Sequence, residues 1–346
     1  MTPAGNPFTR LLRRLRDANI LPLVHKRRPS RGRWSRAAVR ERGENLPLRD
    51  RFAPEFVPGC YRAYYPALAF RSDAALARHY ERRGRAQGRV GAPQALRRQF
   101  IDALQTCEPA LEIGAFHRPM LKGPRTRHFD IRTHDQLAAY AAEIGEDPSG
   151  VPLIDYVSPL GDLSIIDERF ALVASSHVIE HQPDLVAHLR QVERLLQPGG
   201  LYALVIPDCR YCFDHFIAPS TIADAVAACM EGRRVHGLGK IIEMRALTTH
   251  NDAVRHWHGD HGEPGDIGQM TRAAIDEWEA SAGGYVDVHG WRFTPERFRT
   301  IVTGLNELGL TGLSAHRVYP TPYRAGEFCA VLEKRSGVAL NEKNNQ

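Results

Sequence analysis

Short apolar runs alternate with longer segments of helical periodicity through the central and C-terminal parts of the chain. Such alternation is typical of parallel strands joined by crossover helices, so we predict an α/β protein. The apolar runs predict strands at 110–113, 127–131, 153–157, 170–175, 201–206, 313–319 and 328–333. The helical periods predict helices at 93–104, 183–196 and 294–308, of which the second ends at Pro198-Gly199-Gly200.

The pattern divides the chain into regions of different character. Residues 1–55 are rich in arginine and proline, which predicts a basic arm and linker. Aromatic and leucine residues at helical spacing predict a small helical unit over 56–92. The α/β pattern occupies 93–335 and contains a long insertion at 208–290, and we expect a disordered tail over 336–346.

Composition places the chain among ordinary globular proteins. Hydrophobic residues make up 43% and charged residues 25% of 346 residues, and no apolar stretch approaches the ~20 residues that span a bilayer. The N-terminus lacks the apolar core of a signal peptide, so we expect a cytoplasmic protein without a transmembrane segment. The cysteines are scattered, which predicts reduced thiols, and the isolated Cys209-x-x-Cys212 pair predicts neither a metal nor a redox site.

Positive charge is concentrated at the N-terminus. Up to Arg51 there are 14 lysines and arginines against four acids, whereas the whole chain carries a net charge of +6. Such an arm can bind an anionic partner, namely nucleic acid, anionic lipid or an acidic protein. Because aromatic residues for base stacking are nearly absent there, a solvated tail explains the arm as well. The oligomeric state stays unknown at this level.

The end of the first predicted strand carries residues suited to a cofactor. It reads Leu111-Glu112-Ile113-Gly114-Ala115, with an acid inside the strand and a glycine at the turn. Glycine lets the main chain approach a ligand closely, and a carboxylate can compensate a cationic group directly or through water. Ligands of open α/β sheets bind at the carboxyl ends of strands, so we predict Glu112, Gly114 and Ala115 at a cofactor site.

Further candidate ligands follow the next strands. Asp130 ends the second strand, where an acid can accept hydrogen bonds from both hydroxyls of a ribose. Asp162 and Leu163 precede the fourth strand, where a loop acid or the main chain can receive an adenine amino group. Ser176 and His181 follow the fourth strand and complete the predicted cofactor-binding set.

These motifs, in this order, resemble the class I S-adenosylmethionine-dependent methyltransferase superfamily. The most specific part runs from Phe170-Ala-Leu-Val to Val-Ile-Glu-His181 and on to Leu195-Leu-Gln-Pro-Gly-Gly200. The resemblance implies a doubly wound, seven-stranded Rossmann-like sheet whose last strand enters antiparallel. It also implies that S-adenosyl-L-methionine lies among Glu112, Gly114, Asp130 and Asp162. One departure is the first loop, which has Phe116 and Arg118 where many members carry further glycines.

Three shorter strings resemble a branch of this superfamily that is associated with bacterial surface-glycan glycosyltransferases. They lie at 61–89, which begins Tyr61-Arg-Ala-Tyr-Tyr-Pro-Ala-Leu, at 250–261, and at 286–294, which reads Val-Asp-Val-His-Gly-Trp-Arg-Phe-Thr. This second resemblance implies glycan modification and a saccharide or glycoconjugate as the acceptor.

The insertion concentrates imidazoles and carboxylates. Methyl transfer to oxygen or nitrogen often needs a base, and histidine suits that task near neutral pH. Asp208, just beyond the fifth strand, is a candidate acceptor ligand or base. A divalent-metal site and satisfied structural histidines are the alternatives, and we assign no metal ligand. The candidate bases are His250, His256, His258 and His261.

The leading hypothesis is an O-methyltransferase that acts on a saccharide or glycoconjugate with a histidine base. An RNA methyltransferase guided by the basic arm is an alternative, and it predicts salt-sensitive RNA binding that is lost when residues 1–51 are deleted. A noncatalytic methyltransferase fold that acts as an interaction module is a third hypothesis, motivated by the irregular first loop.

Overall fold

The structure, a computed structural model, describes residues 47–335. Its centre is one seven-stranded sheet in the order β3-β2-β1-β4-β5-β7-β6. Strands β1 to β5 are parallel, and β7 lies antiparallel between β5 and β6. This topology confirms the predicted doubly wound sheet with an antiparallel last strand. The strands are β1 (Ala110–Ile113), β2 (Thr126–Asp130), β3 (Tyr156–Val157), β4 (Phe170–Ser176), β5 (Leu196–Pro207), β6 (Leu313–Val318) and β7 (Glu327–Lys334).

Two strands differ from their predicted bounds by more than one residue at an end. The strand predicted at 153–157 is shortened to Tyr156–Val157, at the sheet edge, where Leu153 is 78% exposed and has no sheet to pack on. The strand predicted at 201–206 begins five residues earlier, because Leu196 already pairs with Phe170 next to an irregularity in the β4–β5 register. Pro198-Gly199-Gly200 therefore ends the preceding helix without ending the strand.

Helices cover both faces of the sheet and fill the insertion. The helix predicted at 93–104 is divided into a 3-10 turn at Pro93–Ala95 and a helix from Arg97, because Leu96 is extended between them. The helices are α1 (Pro58–Tyr64), α2 (Asp73–His79), α3 (Arg97–Leu104), α4 (His134–Ile144), α5 (Leu185–Leu195), α6 (Ile222–Glu231), α7 (Leu238–Ala246), α8 (Ala253–Trp257), α9 (Ile267–Ala280) and α10 (Pro295–Glu307).

The central strands alternate between two hydrophobic cores. In β5, Tyr202, Leu204 and Ile206 face a core built with α5 and α10. The intervening Ala203 and Val205 face a second core built with α3. Because neighbouring residues of a strand point to opposite faces, this two-sided burial explains why the central strands read as continuous apolar runs.

The N-terminal part of the described chain packs on the second core. Phe52 is buried beside Phe100 of α3, with ring centroids 5.7 Å apart. Farther along, Tyr61, Leu76 and Tyr80 form a small aromatic core within the predicted helical unit. Most of the predicted arm, and the predicted tail, lie outside the described residues. Within residues 47–335, no helix combines the length and the apolar character that crossing a bilayer requires.

Candidate active site

The order of the strands reverses between β1 and β4, so the loops after these two strands leave the sheet side by side. Gly114 follows β1 with a φ of +71°, and a Cβ at this position would lie 2.6 Å from Val178 Cγ2. Glycine is therefore required both by its backbone conformation and by the approach of the second loop. Ala115, the next residue, is buried in the same turn.

Glu112 holds the first loop from inside the sheet. Its two carboxylate oxygens accept hydrogen bonds from the main-chain amides of Met120 at 2.8 Å and Leu121 at 2.9 Å. Burial raises the pKa of Glu112 to about 7, although the two amide donors favour the charged form. This carboxylate fixes the path of the loop, in which Phe116 adopts a positive φ of 44°.

Asp130 lies at the end of β2, next to β1. One of its oxygens, Oδ1, accepts a hydrogen bond from the Arg132 amide at 3.1 Å. Burial raises the pKa of Asp130. The hydrogen bonds that its carboxylate accepts from main-chain amides oppose this shift. A carboxylate has lone pairs for more than one donor, which is the basis for the prediction that Asp130 accepts a hydrogen bond from a hydroxyl group.

Asp162 and Leu163 begin a short 3-10 turn before β4. The Asp162 carboxylate accepts hydrogen bonds from the amide and the hydroxyl of Ser164, at 2.9 and 2.7 Å, and these bonds lower its pKa. The Leu163 side chain is buried, and its amide donates to Gln191 Oε1 at 3.3 Å. Asp162 thus acts as the cap of this turn and orients the loop.

The end of β4 meets the start of β7, because the antiparallel β7 begins at the carboxyl edge of the sheet. His177 has a positive φ of 55°, and its Nε2 lies 2.7 Å from Glu327 Oε2. Arg97 of α3 donates to the same Glu327 carboxylate, at 3.0 Å, and to Ser176 Oγ, at 3.1 Å. These residues place charged groups beside the β1 and β4 loops.

Two histidine–aspartate pairs flank a buried acid after β4. His181 Nδ1 donates to Asp287 Oδ1 at 2.9 Å, and His289 Nδ1 donates to Asp214 Oδ2 at 2.6 Å. Burial opposes protonation of His181, but the bond to Asp287 and the charge of Glu180 outweigh it and raise the pKa of His181 to about 8. Glu180 itself is fully buried.

Three of the four candidate bases meet in one cluster with His215. The rings of His215 and His261 stack with centroids 3.6 Å apart, and His256 lies beside both. His256 Nε2 donates to the His250 carbonyl at 3.1 Å, and its Nδ1 lies 3.0 Å from His261 Nδ1. His250 is also bonded at both ring nitrogens, to the Asp260 carbonyl and the Asp252 amide. Asp214, which precedes His215 in the chain, is bonded to His289.

His258 and Asp208 lie apart from that cluster. The exposed His258 bonds through Nε2 to the Tyr323 hydroxyl at 2.9 Å. Asp208 is buried, and its carboxylate accepts from Thr321 Oγ1 and from the Arg210 guanidinium at 2.5 to 2.9 Å. The carboxylate of Asp208 is therefore already saturated with donors.

Comparison with known families identifies the centre of the sheet. A family model described as a methyltransferase domain matches residues 114–204. The match runs from the glycine after β1 into β5 and so spans the reversal of strand order. Residues 114–204 therefore form a methyltransferase domain.

The solved structures that are similar to this chain have low sequence identity to it. An S-adenosylmethionine-dependent methyltransferase from Mesorhizobium loti is 18% identical, covering 65% of this chain and 89% of its own, with a TM-score of 0.33. The DhpI–SAH complex is 15% identical, covering 84% and 98%, with a TM-score of 0.34. The CcbJ methyltransferase from Streptomyces caelestis is 12% identical, covering 69% and 92%, with a TM-score of 0.34. No curated protein matches the chain.

The strand ends at the β1–β4 reversal carry the main-chain and carboxylate groups that were predicted to bind S-adenosylmethionine. Gly114 lies against Val178 at the end of β1, and the buried Asp130 lies at the end of the neighbouring β2. In the loop before β4, the Asp162 carboxylate is bonded to Ser164 and Gln191, and the Leu163 amide is bonded to Gln191, so their predicted contact with an adenine stays a prediction. Glu112 contributes through the loop that it fixes, since both its oxygens bind main-chain amides.

Several residues of the site were missed by sequence reasoning. Glu180 was read only as part of a motif, and Asp214, Arg97 and Glu327 were not singled out. Their partners are distant in sequence: His181 and Asp287 are 106 residues apart, and Arg97 and Glu327 are 230 residues apart. The sequence did offer one signal, the acids near the histidines at 177, 181 and 289. Which acid contacts which histidine becomes evident only in the folded protein.

Proposed function

We propose that the methyltransferase transfers a methyl group to a hydroxyl oxygen of a saccharide or glycoconjugate, and that His261 is the general base. The supporting observation is the hydrogen-bond pattern of the histidine cluster. His256 Nε2 donates to a carbonyl, so the neutral ring of His256 accepts at Nδ1. The partner of that Nδ1 is His261 Nδ1, which must then carry the proton. The remaining nitrogen of His261, Nε2, therefore has a free lone pair.

The protonation states of this cluster support the same role. Burial lowers the pKa of His256 to about 4, so its ring is neutral near pH 7. Burial and the neighbouring His215 and His250 also lower the pKa of His261, which keeps its Nε2 unprotonated. Of the other candidate bases, His250 and His256 are bonded at both ring nitrogens and position His261.

When bound, S-adenosylmethionine supplies an electrophilic methyl group. The protein has to orient the acceptor hydroxyl in line with that group and receive its proton. His261 Nε2 would receive the hydroxyl proton as the carbon–oxygen bond forms and the sulfur–methyl bond breaks, with S-adenosylhomocysteine as the leaving group. Asp208 holds the Arg210 and Thr321 side chains, so its proposed part is to shape the acceptor pocket.

Aromatic side chains near the base favour a sugar as the acceptor. Trp257 stacks on Tyr211 with centroids 3.9 Å apart, and Tyr323 meets Trp257 edge-on at 5.4 Å. His258 bonds to the Tyr323 hydroxyl at the same place. A wall that combines aromatic carbon with hydrogen-bonding tips suits the mixed surface of a sugar ring. The resemblance of residues 250–261 and 286–294 to the glycan-associated branch points the same way.

The acceptor class is tested by methyl transfer to cell fractions. Purified full-length protein is incubated with methyl-labelled S-adenosylmethionine and separated glycan, protein and RNA fractions. We expect the label in the glycan fraction, in a form that survives alkali, because methyl ethers resist the hydrolysis that removes methyl esters. Label confined to RNA would overturn the saccharide proposal and would favour the basic arm as an RNA-binding element.

The base is tested with His261→Asn. Asparagine can still donate to His256 Nδ1, but it has no nitrogen that titrates near neutral pH. We expect kcat to fall about 10²- to 10⁴-fold with cofactor affinity unchanged, and we expect the unmodified protein, but not the variant, to lose activity as the pH falls below neutral. His134→Gln, on α4 away from the cluster, is the control. A variant with normal kcat and an unaltered pH profile would exclude His261 as the base.

A further inference from the structure

Three side chains near the end of β4 have the composition of a metal site. Glu180, His181 and His289 each offer one ligand atom, and these atoms lie within 4.8 Å of one another. We propose that these three residues bind a divalent transition-metal ion. The inference does not depend on the identity of the acceptor or on His261 as the base.

The first argument is the isolation of the Glu180 carboxylate. Glu180 is 0% exposed, and among residues 47–335 neither of its carboxylate oxygens has a hydrogen-bond partner. The nearest cationic groups, His177 Nδ1 and His181 Nε2, lie 3.5 and 4.0 Å away. A buried carboxylate without hydrogen bonds is strongly unfavourable, and native structures rarely keep one without a bound partner. A cation coordinated by Glu180 removes this difficulty.

The second argument is the orientation of the two imidazoles. Asp287 binds His181 at Nδ1, and Asp214 binds His289 at Nδ1. Each ring therefore has its Nε2 left to coordinate an ion. Metal-binding histidines almost always donate their other nitrogen to a carboxylate or carbonyl in this way, which fixes the ring and raises its basicity. The two rings meet edge-on, with centroids 4.7 Å apart.

The third argument is that the fold fixes the two segments that supply the ligands. Glu180 and His181 lie in the 3-10 turn after β4, and His289 lies at the end of the insertion. The Glu180 carbonyl accepts hydrogen bonds from the amides of Gly290 at 2.7 Å and Trp291 at 3.1 Å. These bonds clamp His289 against Glu180. The ligand set is thus preassembled by main-chain contacts rather than by the ion alone.

Two imidazoles and one carboxylate favour a particular class of ion. Imidazole suits Zn²⁺, Fe²⁺ and similar ions, whereas Mg²⁺ and Ca²⁺ prefer oxygen ligands. Ligands of a tetrahedral zinc ion lie roughly 3.4 Å apart, since each bond is about 2.1 Å long. The separations of up to 4.8 Å need only small side-chain movements to reach that value. Three protein ligands also leave a position for a hydroxyl group of the acceptor.

A second group, His215, His256 and His261, also meets the distance requirement for a metal. In this group, however, both ring nitrogens of His256 already have hydrogen-bond partners. Within the described part of the chain, its members leave no buried acid without a partner. The second group is therefore the alternative that the experiment has to separate from the first.

The test is metal binding by the full-length protein after chelation. Titration calorimetry with Zn²⁺, and the visible spectrum of Co²⁺ in a separate titration, should each show one equivalent of bound ion. Mg²⁺ should not displace it. Glu180→Gln and His289→Ala should each weaken binding on the order of 100-fold or more, and Asp214→Asn about 10- to 100-fold. His261→Asn and His134→Gln should bind as the unmodified protein does.

Thermal melting separates a metal effect from a folding defect. Apo Glu180→Gln should melt no lower than the apo unmodified protein, because the substitution removes a buried charge that has no hydrogen bond. Zn²⁺ should raise the melting temperature of the unmodified protein and leave that of Glu180→Gln unchanged. Absence of stoichiometric binding, or binding that His261→Asn abolishes and Glu180→Gln retains, would overturn the assignment.

Discussion

Gly114 and Asp130 are positions at which the local structure favours one type of residue. A strand end at a topological switch needs a residue that tolerates a φ of +71° and a neighbouring loop 2.6 Å from its missing Cβ, and only glycine does so. The positions of both residues at strand ends were predictable from the strands that carry them, and their contact with the cofactor stays a prediction. Glu112 was harder to interpret, because its partners, the Met120 and Leu121 amides, lie in a loop whose path the sequence does not define.

Asp130→Ala tests the cofactor edge at the residue scale. The substitution removes the carboxylate proposed to bind the ribose hydroxyls, and a charge-assisted hydrogen bond contributes roughly 1.5–3 kcal/mol. We therefore expect the Kd for S-adenosylmethionine, measured by calorimetry, to rise about 10- to 150-fold. Asp135→Ala, which removes an exposed acid in the first turn of α4, is the matched control. Equal affinities for the two variants would count against the placement of the ribose at Asp130.

Helices and strands were predictable to within a few residues where each is a regular apolar pattern between turn residues. The helix predicted at 183–196 is α5, Leu185–Leu195, which begins when Asp184 accepts from the Ala187 amide. The bounds of β3 and β5 were wrong because pairing with neighbouring strands, rather than local pattern, sets them. A sequence window contains no information about where a partner strand ends.

His188 of α5 contacts the sheet and makes the stability of the protein depend on pH. Its Nε2 lies 2.9 Å from the Tyr202 hydroxyl, which in turn lies 2.9 Å from Ser175 Oγ. Burial lowers the pKa of His188 to about 4. In the unfolded chain His188 has its ordinary pKa of 6.5. Between pH 6.5 and 4, His188 is therefore protonated in the unfolded state and neutral in the native state. Stability conferred by neutral His188 is therefore present above pH 6.5 and falls as the pH falls.

His188→Gln should reduce this dependence on pH. The shift corresponds to a contribution on the order of 3 kcal/mol between pH 6.5 and 4. We expect urea denaturation to show a smaller loss of unfolding free energy over that range in the variant than in the unmodified protein. Between pH 7 and 8 the two proteins should show parallel changes, which provides the internal control. Identical slopes below pH 6 would show that another group controls acid unfolding.

The site depends on contacts that only the assembled molecule provides. His181 and His289 could be singled out as chemically capable residues, but their partners Asp287 and Asp214 are joined to them by the packing of the insertion on the β4 loop. The sequence shows which groups are available at that edge. It does not show that Glu180 is buried among them, because this depends on the main-chain bonds from Gly290 and Trp291.

The segment that precedes the sheet is joined to it in the same way. Phe52, which falls within the predicted arm and linker, is 1% exposed and packs in the core beside Phe100. Arg317 of β6 donates to the Phe52 carbonyl at 3.2 Å, and Tyr319 Oη donates to the Ala53 carbonyl at 2.8 Å. The far end of the sheet therefore depends on residues that come before the first strand by more than fifty positions.

Phe52→Ala measures that dependence for the whole molecule. Truncation of a buried phenylalanine costs about 3–5 kcal/mol, because it removes apolar contact and leaves a cavity. Phe70→Ala is the matched control, since Phe70 is 82% exposed and its loss should change stability by less than about 0.5 kcal/mol. Denaturation followed by fluorescence and by far-ultraviolet circular dichroism should give one coincident transition for Phe52→Ala, shifted to lower denaturant. Equal effects of the two substitutions, or separate transitions, would mean that the N-terminal segment folds independently of the sheet.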